Sequence, residues 1–161
     1  MQRLLALGAL IIATIVHVNT VRADSGVGLS LIDEEVESLG ADLVQSTFDR
    51  LSALPFDAVS GAADPDALTP AARFGGAAWI DAATDLDDLD GATATVQVLG
   101  PDGVGTVDFV LRIDVDYVRK VGTGWQDTGG SRTWFKRATL TATGPEEFAA
   151  TLDSVYFAEG L

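Results

Sequence analysis

The chain of 161 residues contains no cysteine, one histidine and only two lysines. Without cysteine, disulfide bonds and thiolate metal sites are excluded. The histidine, His17, lies in an apolar N-terminal stretch. A Ser-His-Asp triad in the folded domain and a multi-histidine zinc site are therefore excluded as well. An enzyme built from this chain would have to use carboxylates, Lys, Tyr or Arg, and we expect no enzyme.

Positive charge is scarce. The chain holds 24 acidic residues against 10 basic ones, which gives a formal net charge of −14. Such a surface would repel the phosphates of nucleic acids, so we expect no nucleic-acid partner. Two interpretations remain, a protein kept soluble in high salt or a surface that binds cations. The Asp-rich, Lys-poor composition resembles that of proteins from salt-loving bacteria.

The longest uncharged run, residues 4–21, lies between Arg3 and Arg22. One interpretation is a secretory signal that is cleaved after Ala23. The other is a retained membrane helix, because 18 residues at a rise of ~1.5 Å each give about 27 Å, enough to span a thin hydrocarbon core. Both interpretations place the rest of the chain outside the cytoplasm. Arg3 favours that orientation and Arg22 weakens the bias.

An amphipathic helical pattern follows this run. Apolar residues recur at steps of three to five, and Pro55 ends the pattern because its ring cannot continue a helix. The pattern continues in phase into the apolar segment, so we expect one helix of about 50 residues with a bend near residues 24–28. The apolar residues of this pattern are Leu29, Ile32, Val36, Leu39, Leu43, Phe48, Leu51 and Leu54.

The second half of the chain predicts a sheet. Residues 56–92 are rich in Ala, Gly and Asp and are interpreted as an irregular loop, with Phe74, Trp79 and Ile80 reaching the core. From residue 93 onward, apolar and polar residues alternate in about four antiparallel strands, and residues 121–131 are interpreted as a turn-rich loop. The predicted fold class is α+β, with a long N-terminal helix packed on this sheet. The predicted segments are 1–23, 24–55, 56–92 and 93–161.

The stretch "TDLDDLDGAT" carries four aspartates in six residues. It fails the ligand spacing of an EF-hand, since loop positions five, six and twelve hold Leu, Asp and Val. We interpret it mainly as a solvated turn, because Asp and Gly favour turns for backbone reasons. A bound calcium ion and a catalytic carboxylate pair remain alternatives, and no other cofactor is expected. The candidate metal ligands are Asp85, Asp87, Asp88 and Asp90.

Two further clusters are candidates for binding. Aromatic residues near the third strand could form an exposed ligand platform, although aromatic residues at strand positions more often pack in the core. These are Trp125, Trp134 and Phe135. A cationic cluster could contact an acidic neighbouring subunit or pair with Asp114 and Asp116 on an adjacent strand. Its members are Arg132, Lys136 and Arg137.

Three stretches carry a resemblance to the type IV pilin and pseudopilin superfamily. "LGADLVQSTFDRLSALPFD" is similar to the end of the long helix in minor pseudopilins, and "DLDDLDG" resembles a loop before their sheet. "WFKRATLTATGP" and "TLDSVYF" look like their final strand pair. The family's short basic leader is not visible, and residues 4–21 hold no acidic residue. The resemblance is therefore to a minor or divergent member.

The resemblance implies a structural subunit that is anchored in the inner membrane through residues 4–21 and then assembles into a cell-surface filament or pseudopilus. Its implied partners are other copies of itself, related pilin-like subunits and the secretion or pilus assembly machinery. Small residues in the apolar segment would allow close helix contact. The expected assembly residues are Leu4, Leu5, Gly8, Ala9, Ile12, Ala13, Ile15 and Val16. The alternative is a secreted or periplasmic acidic binding module, released by cleavage after Ala23.

Overall fold

A computed structural model describes residues 30–59, 62, 64–100, 103, 105–145 and 147–158. The expected membrane segment, its eight assembly residues and His17 lie outside these residues. Within the described ranges, no helix combines the length and the apolar character that crossing a membrane would need.

One antiparallel sheet dominates the described chain. It consists of β1 (Thr93–Leu99), β2 (Thr106–Val121), β3 (Gly124–Asp127), β4 (Phe135–Thr143) and β5 (Ala149–Phe157). The strand order is β1-β2-β4-β5, and β3 pairs with the end of β2. Buried residues alternate with exposed or half-buried ones along β2 and with half-buried ones along β4, as expected for a sheet with one face toward the core. Tyr117 of β2 lies directly opposite Lys136 of β4.

A single α-helix, α1 (Ser30–Leu51), precedes the sheet. It lies against β4 and β5, with Val36, Val44 and Leu51 buried on its inner side. Gly40 faces the ring of Phe148 so closely that an added Cβ would lie 2.5 Å from the ring. The helix is therefore amphipathic as predicted, and it needs a residue without a side chain where it meets that ring.

The connection from α1 to β1 contains four short 3₁₀ turns, Pro65–Ala67, Ala71–Arg73, Ile80–Ala82 and Asp87–Leu89. Backbone hydrogen bonds tie the last turn to β2, with the Gly91 amide donating to the Ile113 carbonyl at 2.9 Å and the Ile113 amide donating to the Ala92 carbonyl at 2.9 Å. Leu86 and Leu89 are fully buried. The connection therefore forms part of the core.

The predicted fold class is wrong. The described chain is mostly β, with one short helix of 22 residues and five strands where about four were expected. The prediction extended the helix through the in-phase apolar residues before Ser30, and these lie outside the described residues. It also assigned β3 to a loop because Gly122 precedes it and Gly129 and Gly130 follow it. The two-residue turn between Val121 and Gly124, with Gly122 at φ 60°, instead closes a hairpin.

We expect Leu51→Ala to lower the free energy of unfolding by about 2–5 kcal/mol, because the side chain is fully buried and its truncation leaves a cavity. Glu37→Ala, on the exposed side of α1, serves as the control and should cost less than about 0.5 kcal/mol. Urea unfolding of the two variants measures the difference. Equal losses would show that α1 contributes nothing to the core.

Candidate functional site

A lysine lies in the interior of the protein. Lys136 is in phase with Ala138, Leu140 and Ala142 along β4, and all four residues are buried. A strand directs alternate side chains to the same face, so its position in β4 forces Lys136 toward the core. For Lys136 both predicted alternatives, a contact with a neighbouring subunit and a pair with Asp114 or Asp116, are therefore wrong. The alternation of residues along β4 is the signal that could have shown its inward direction.

Three oxygen atoms surround the ammonium group of Lys136. Nζ donates hydrogen bonds to the carbonyl of Phe56 at 2.8 Å and to Oδ2 of Asp57 at 2.9 Å. It also forms an ion pair with Oδ1 of Asp87. The side chains of Lys136, Asp57 and Asp87 are 0%, 1% and 3% exposed. An ammonium has three N–H donors, so these three contacts use all of them.

Aromatic rings enclose the same ammonium group. Nζ lies 4.2 Å from the ring centroid of Phe56, 5.2 Å from that of Tyr117 and 5.4 Å from that of Phe74. The negative faces of such rings attract a cation. The hydroxyl of Tyr117 donates to the carbonyl of Thr69 at 2.8 Å, which fixes the ring. We call Lys136, Asp57, Asp87 and these three rings the lysine cluster.

Asp57 is held as a carboxylate. Its Oδ1 accepts hydrogen bonds from the Val59 amide at 3.0 Å and the Thr69 hydroxyl at 3.1 Å, and its Oδ2 accepts one from the Thr69 amide at 3.0 Å. Burial alone would raise the pKa of Asp57. The hydrogen bonds from Val59, Lys136 and Thr69 outweigh burial and lower this pKa to about 2.

Asp87 has a different environment. Apart from its ion pair with Lys136, neither of its carboxyl oxygens accepts a hydrogen bond from the described residues. Burial raises the pKa of Asp87 to about 7, against the opposing effect of Lys136, and the nearby carboxylates of Asp57 and Asp85 raise it further. The two aspartates of the lysine cluster thus differ in how readily they take up a proton.

The aspartate turn is only partly solvated. Asp85 and Asp87 are 3% and 2% exposed, so the prediction of a solvated turn is wrong for these two. Oδ1 of Asp85 accepts the amides of Asp87 at 2.9 Å and Asp88 at 3.3 Å. Oδ2 of Asp88 accepts the amide and hydroxyl of Thr84, and Oδ1 of Asp90 accepts the amide of Val115. These carboxylates act as backbone acceptors that shape the turn.

A buried acidic triad of Asp57, Asp85 and Asp87 could hold a metal ion, because one oxygen of each lies within 4.8 Å of the others. Two of the four ligands predicted from the sequence, Asp85 and Asp87, belong to it. Asp57 was missed because it lies in another part of the loop. The ammonium of Lys136 contacts two of the three carboxylates, so a positive charge already lies among them.

The other predicted binding features are packed or paired. The ring of Trp125 lies 4.9 Å from that of Phe135, which is a packing contact across β3 and β4. Arg137 pairs with Asp116 at 3.9 Å on the adjacent strand, as one of the two alternatives predicted. Trp134 is half-buried. The aromatic and cationic residues therefore do not form one exposed binding patch.

We expect Lys136→Met to lower the free energy of unfolding by about 3–5 kcal/mol, because it leaves buried carboxylates without their cation. Adding Asp87→Leu to this variant should recover about 1–3 kcal/mol, since a buried ion pair replaced by apolar residues is often well tolerated. Urea unfolding of the single and double variants provides the comparison. A double variant less stable than the single one would contradict this account of the cluster.

The lowered pKa of Asp57 predicts a specific acid sensitivity. Its stabilising effect is fully present above the unfolded value of 3.8 and is lost as the pH falls through about 2. Between these two pH values, the free energy of unfolding of the wild-type protein should fall by on the order of 2 kcal/mol more than that of Asp57→Asn. Unfolding measured at several pH values gives the two slopes, and parallel slopes would show that Asp57 is not held as a carboxylate.

No family model, no curated protein and no solved structure matches the chain. The resemblance to type IV pilins therefore remains a prediction from the sequence.

Proposed function

We propose that this chain is a non-enzymatic structural domain that works outside the cytoplasm and is tethered to the membrane by residues 4–21. The observation that carries the proposal is the lysine cluster. Its amine and carboxyl groups face one another inside the core, where they connect the loop to β4. Groups used in this way stabilise a fold, whereas catalytic groups need access to a substrate.

The surface supports the same role. The chain carries a net charge of −14, and among the described residues Lys136 is the buried cation. A strongly acidic surface keeps a domain soluble and resists non-specific association, especially in high salt. Such a surface suits a domain that is displayed in an extracellular medium.

The uncharged run of residues 4–21 supports the membrane tether. Residues 4–21 are uncharged and flanked by Arg3 and Arg22, and an apolar run of this length suits a membrane anchor. Gly8, Ala9 and Ala13 would let two such helices approach closely. The proposal keeps the assembly role that the pilin resemblance implies and drops its architecture, because the described fold is mostly β.

Calcium is not part of the proposal. A calcium ion in the acidic triad would have to share the space with the ammonium of Lys136, which contacts Asp57 and Asp87. Calcium also prefers six to eight oxygen ligands, and the other carboxylates of the turn, Asp88 and Asp90, bind backbone amides. The ammonium of Lys136 already supplies the positive charge that these carboxylates would otherwise take from a metal ion.

The test is the location and mass of the native chain. We expect it in the membrane fraction with a mass that begins at or near Met1. Chemical cross-linking in membranes should give multimers, and Gly8→Leu with Ala13→Leu should abolish them because bulky residues prevent close helix approach. Ile11→Leu, which conserves volume in the same segment, is the control.

Two results would count against the proposal. A chain that begins at Asp24 and appears in the soluble fraction would contradict the tether and favour the released binding module. A chain in the membrane fraction that stays monomeric under cross-linking would contradict self-assembly.

A further inference from the structure

The lysine cluster brings a primary amine into contact with two carboxyl groups. Nζ of Lys136 forms an ion pair with Oδ1 of Asp87 and lies 2.9 Å from Oδ2 of Asp57, and all three side chains are almost completely buried. Reacting groups held in contact in this way gain a large effective concentration. The enclosing rings of Phe56 and Tyr117 also limit water, which otherwise favours the free acid and amine.

We propose that Nζ of Lys136 and Cγ of Asp87 become joined by an amide bond, which cross-links β4 to the aspartate turn within one chain. Hydrogen bonding distinguishes the two carboxyl groups. The oxygens of Asp57 accept three hydrogen bonds from Val59 and Thr69, which stabilise the carboxylate, a poor electrophile. Apart from the contact with Lys136, the oxygens of Asp87 accept none from the described residues, so among these residues only the lysine opposes its neutral acid form.

The reaction consumes one ammonium and one carboxylate and releases one water. A proton first passes from Lys136 to Asp87, which leaves a neutral amine beside a neutral carboxylic acid. The nitrogen lone pair then attacks Cγ, a carbon–nitrogen bond forms, and the electron pair of the C=O double bond moves onto oxygen. No oxidant, reductant or other reactant is required.

Asp57 has a catalytic part in this scheme. Its Oδ2, 2.9 Å from Nζ, accepts the proton that the nitrogen must lose and then donates it to the hydroxyl leaving Cγ. The carbon–oxygen bond breaks, water departs, and Asp57 is again a carboxylate. Hydrogen bonds from Val59 and Thr69 keep Asp57 ionised, so its carboxylate is available to accept that proton.

Peptide mass spectrometry of the denatured full-length protein tests the bond. Trypsin cannot cleave after an amidated Lys136, so residues 74–112 should appear linked to residues 133–137, lighter than the two free peptides by one water. Release of the free peptide 133–136 in full yield would overturn the proposal. A link between residues 133–137 and residues 51–73, which contain Asp57, would overturn the choice of Asp87.

Variants test the separate roles. Lys136→Arg should abolish the linked peptide. Asp57→Asn should slow its formation by about 100-fold, the scale of a lost general base, when newly synthesised chains are sampled over time. Asp88→Asn is the matched control, because Asp88 belongs to the same turn but binds Thr84, and it should cross-link like the wild type. An unchanged rate in Asp57→Asn would contradict its role.

The wild-type measurement decides the proposal even where a variant fails to fold. The bond does not depend on the proposed location or assembly of the chain, since it concerns side chains of one folded domain. A protein with the Lys136–Asp87 amide bond that appears in the soluble fraction would support this proposal and contradict the tether. A membrane-bound protein without that bond would do the reverse.

Discussion

The charge of Lys136 has no contact with water, and this constraint shapes the surrounding structure. A buried ammonium is costly unless acceptors surround it. The protein supplies the Phe56 carbonyl and the carboxylates of Asp57 and Asp87. Each acceptor comes from the irregular connection between α1 and β1. Contacts with one residue of β4 therefore hold this connection in place.

This requirement explains why the connection is ordered. Asp57 must reach the lysine from one end of the connection and Asp87 from the other, and Tyr117 adds a hydrogen bond to Thr69 in between. Leu68, Leu86 and Leu89 of the same connection are buried. Polar contacts thus set the path of the loop, and apolar burial supplies much of its stability.

The sequence predicts local patterns better than long-range contacts. The alternation of β2 and the apolar stripe of α1 between Ser30 and Leu51 follow from periodicity, and the structure contains both. β3 was missed because its flanking glycines indicate a loop until the hairpin pairing is known. The predicted helix reaches Pro55, whereas α1 ends at Leu51, and its predicted extension before Ser30 lies outside the described residues.

The sequence predicted only part of the candidate site, because the site depends on contacts between distant residues. The aspartate turn drew notice through its density of carboxylates, whereas Asp57 and Lys136 carry no local pattern that marks them as partners. Periodicity could place Lys136 on the inner face of β4. It could not show which carboxylates contact the ammonium. Asp57 is 79 residues away in the chain, and the spacing of apolar residues does not show which distant residues meet.

That separation has a consequence for the order of folding. Contacts between distant residues form only after long stretches of chain have been ordered, and this ordering slows their formation. The pairing of β2 with β4 sets Tyr117 directly opposite Lys136, so we expect the connection, which supplies the acceptors, to dock after these strands have paired. The reverse also holds. Lifting the connection would take all three acceptors and the rings of Phe56 and Phe74 away from the ammonium, so we expect loop and sheet to open together as one cooperative unit.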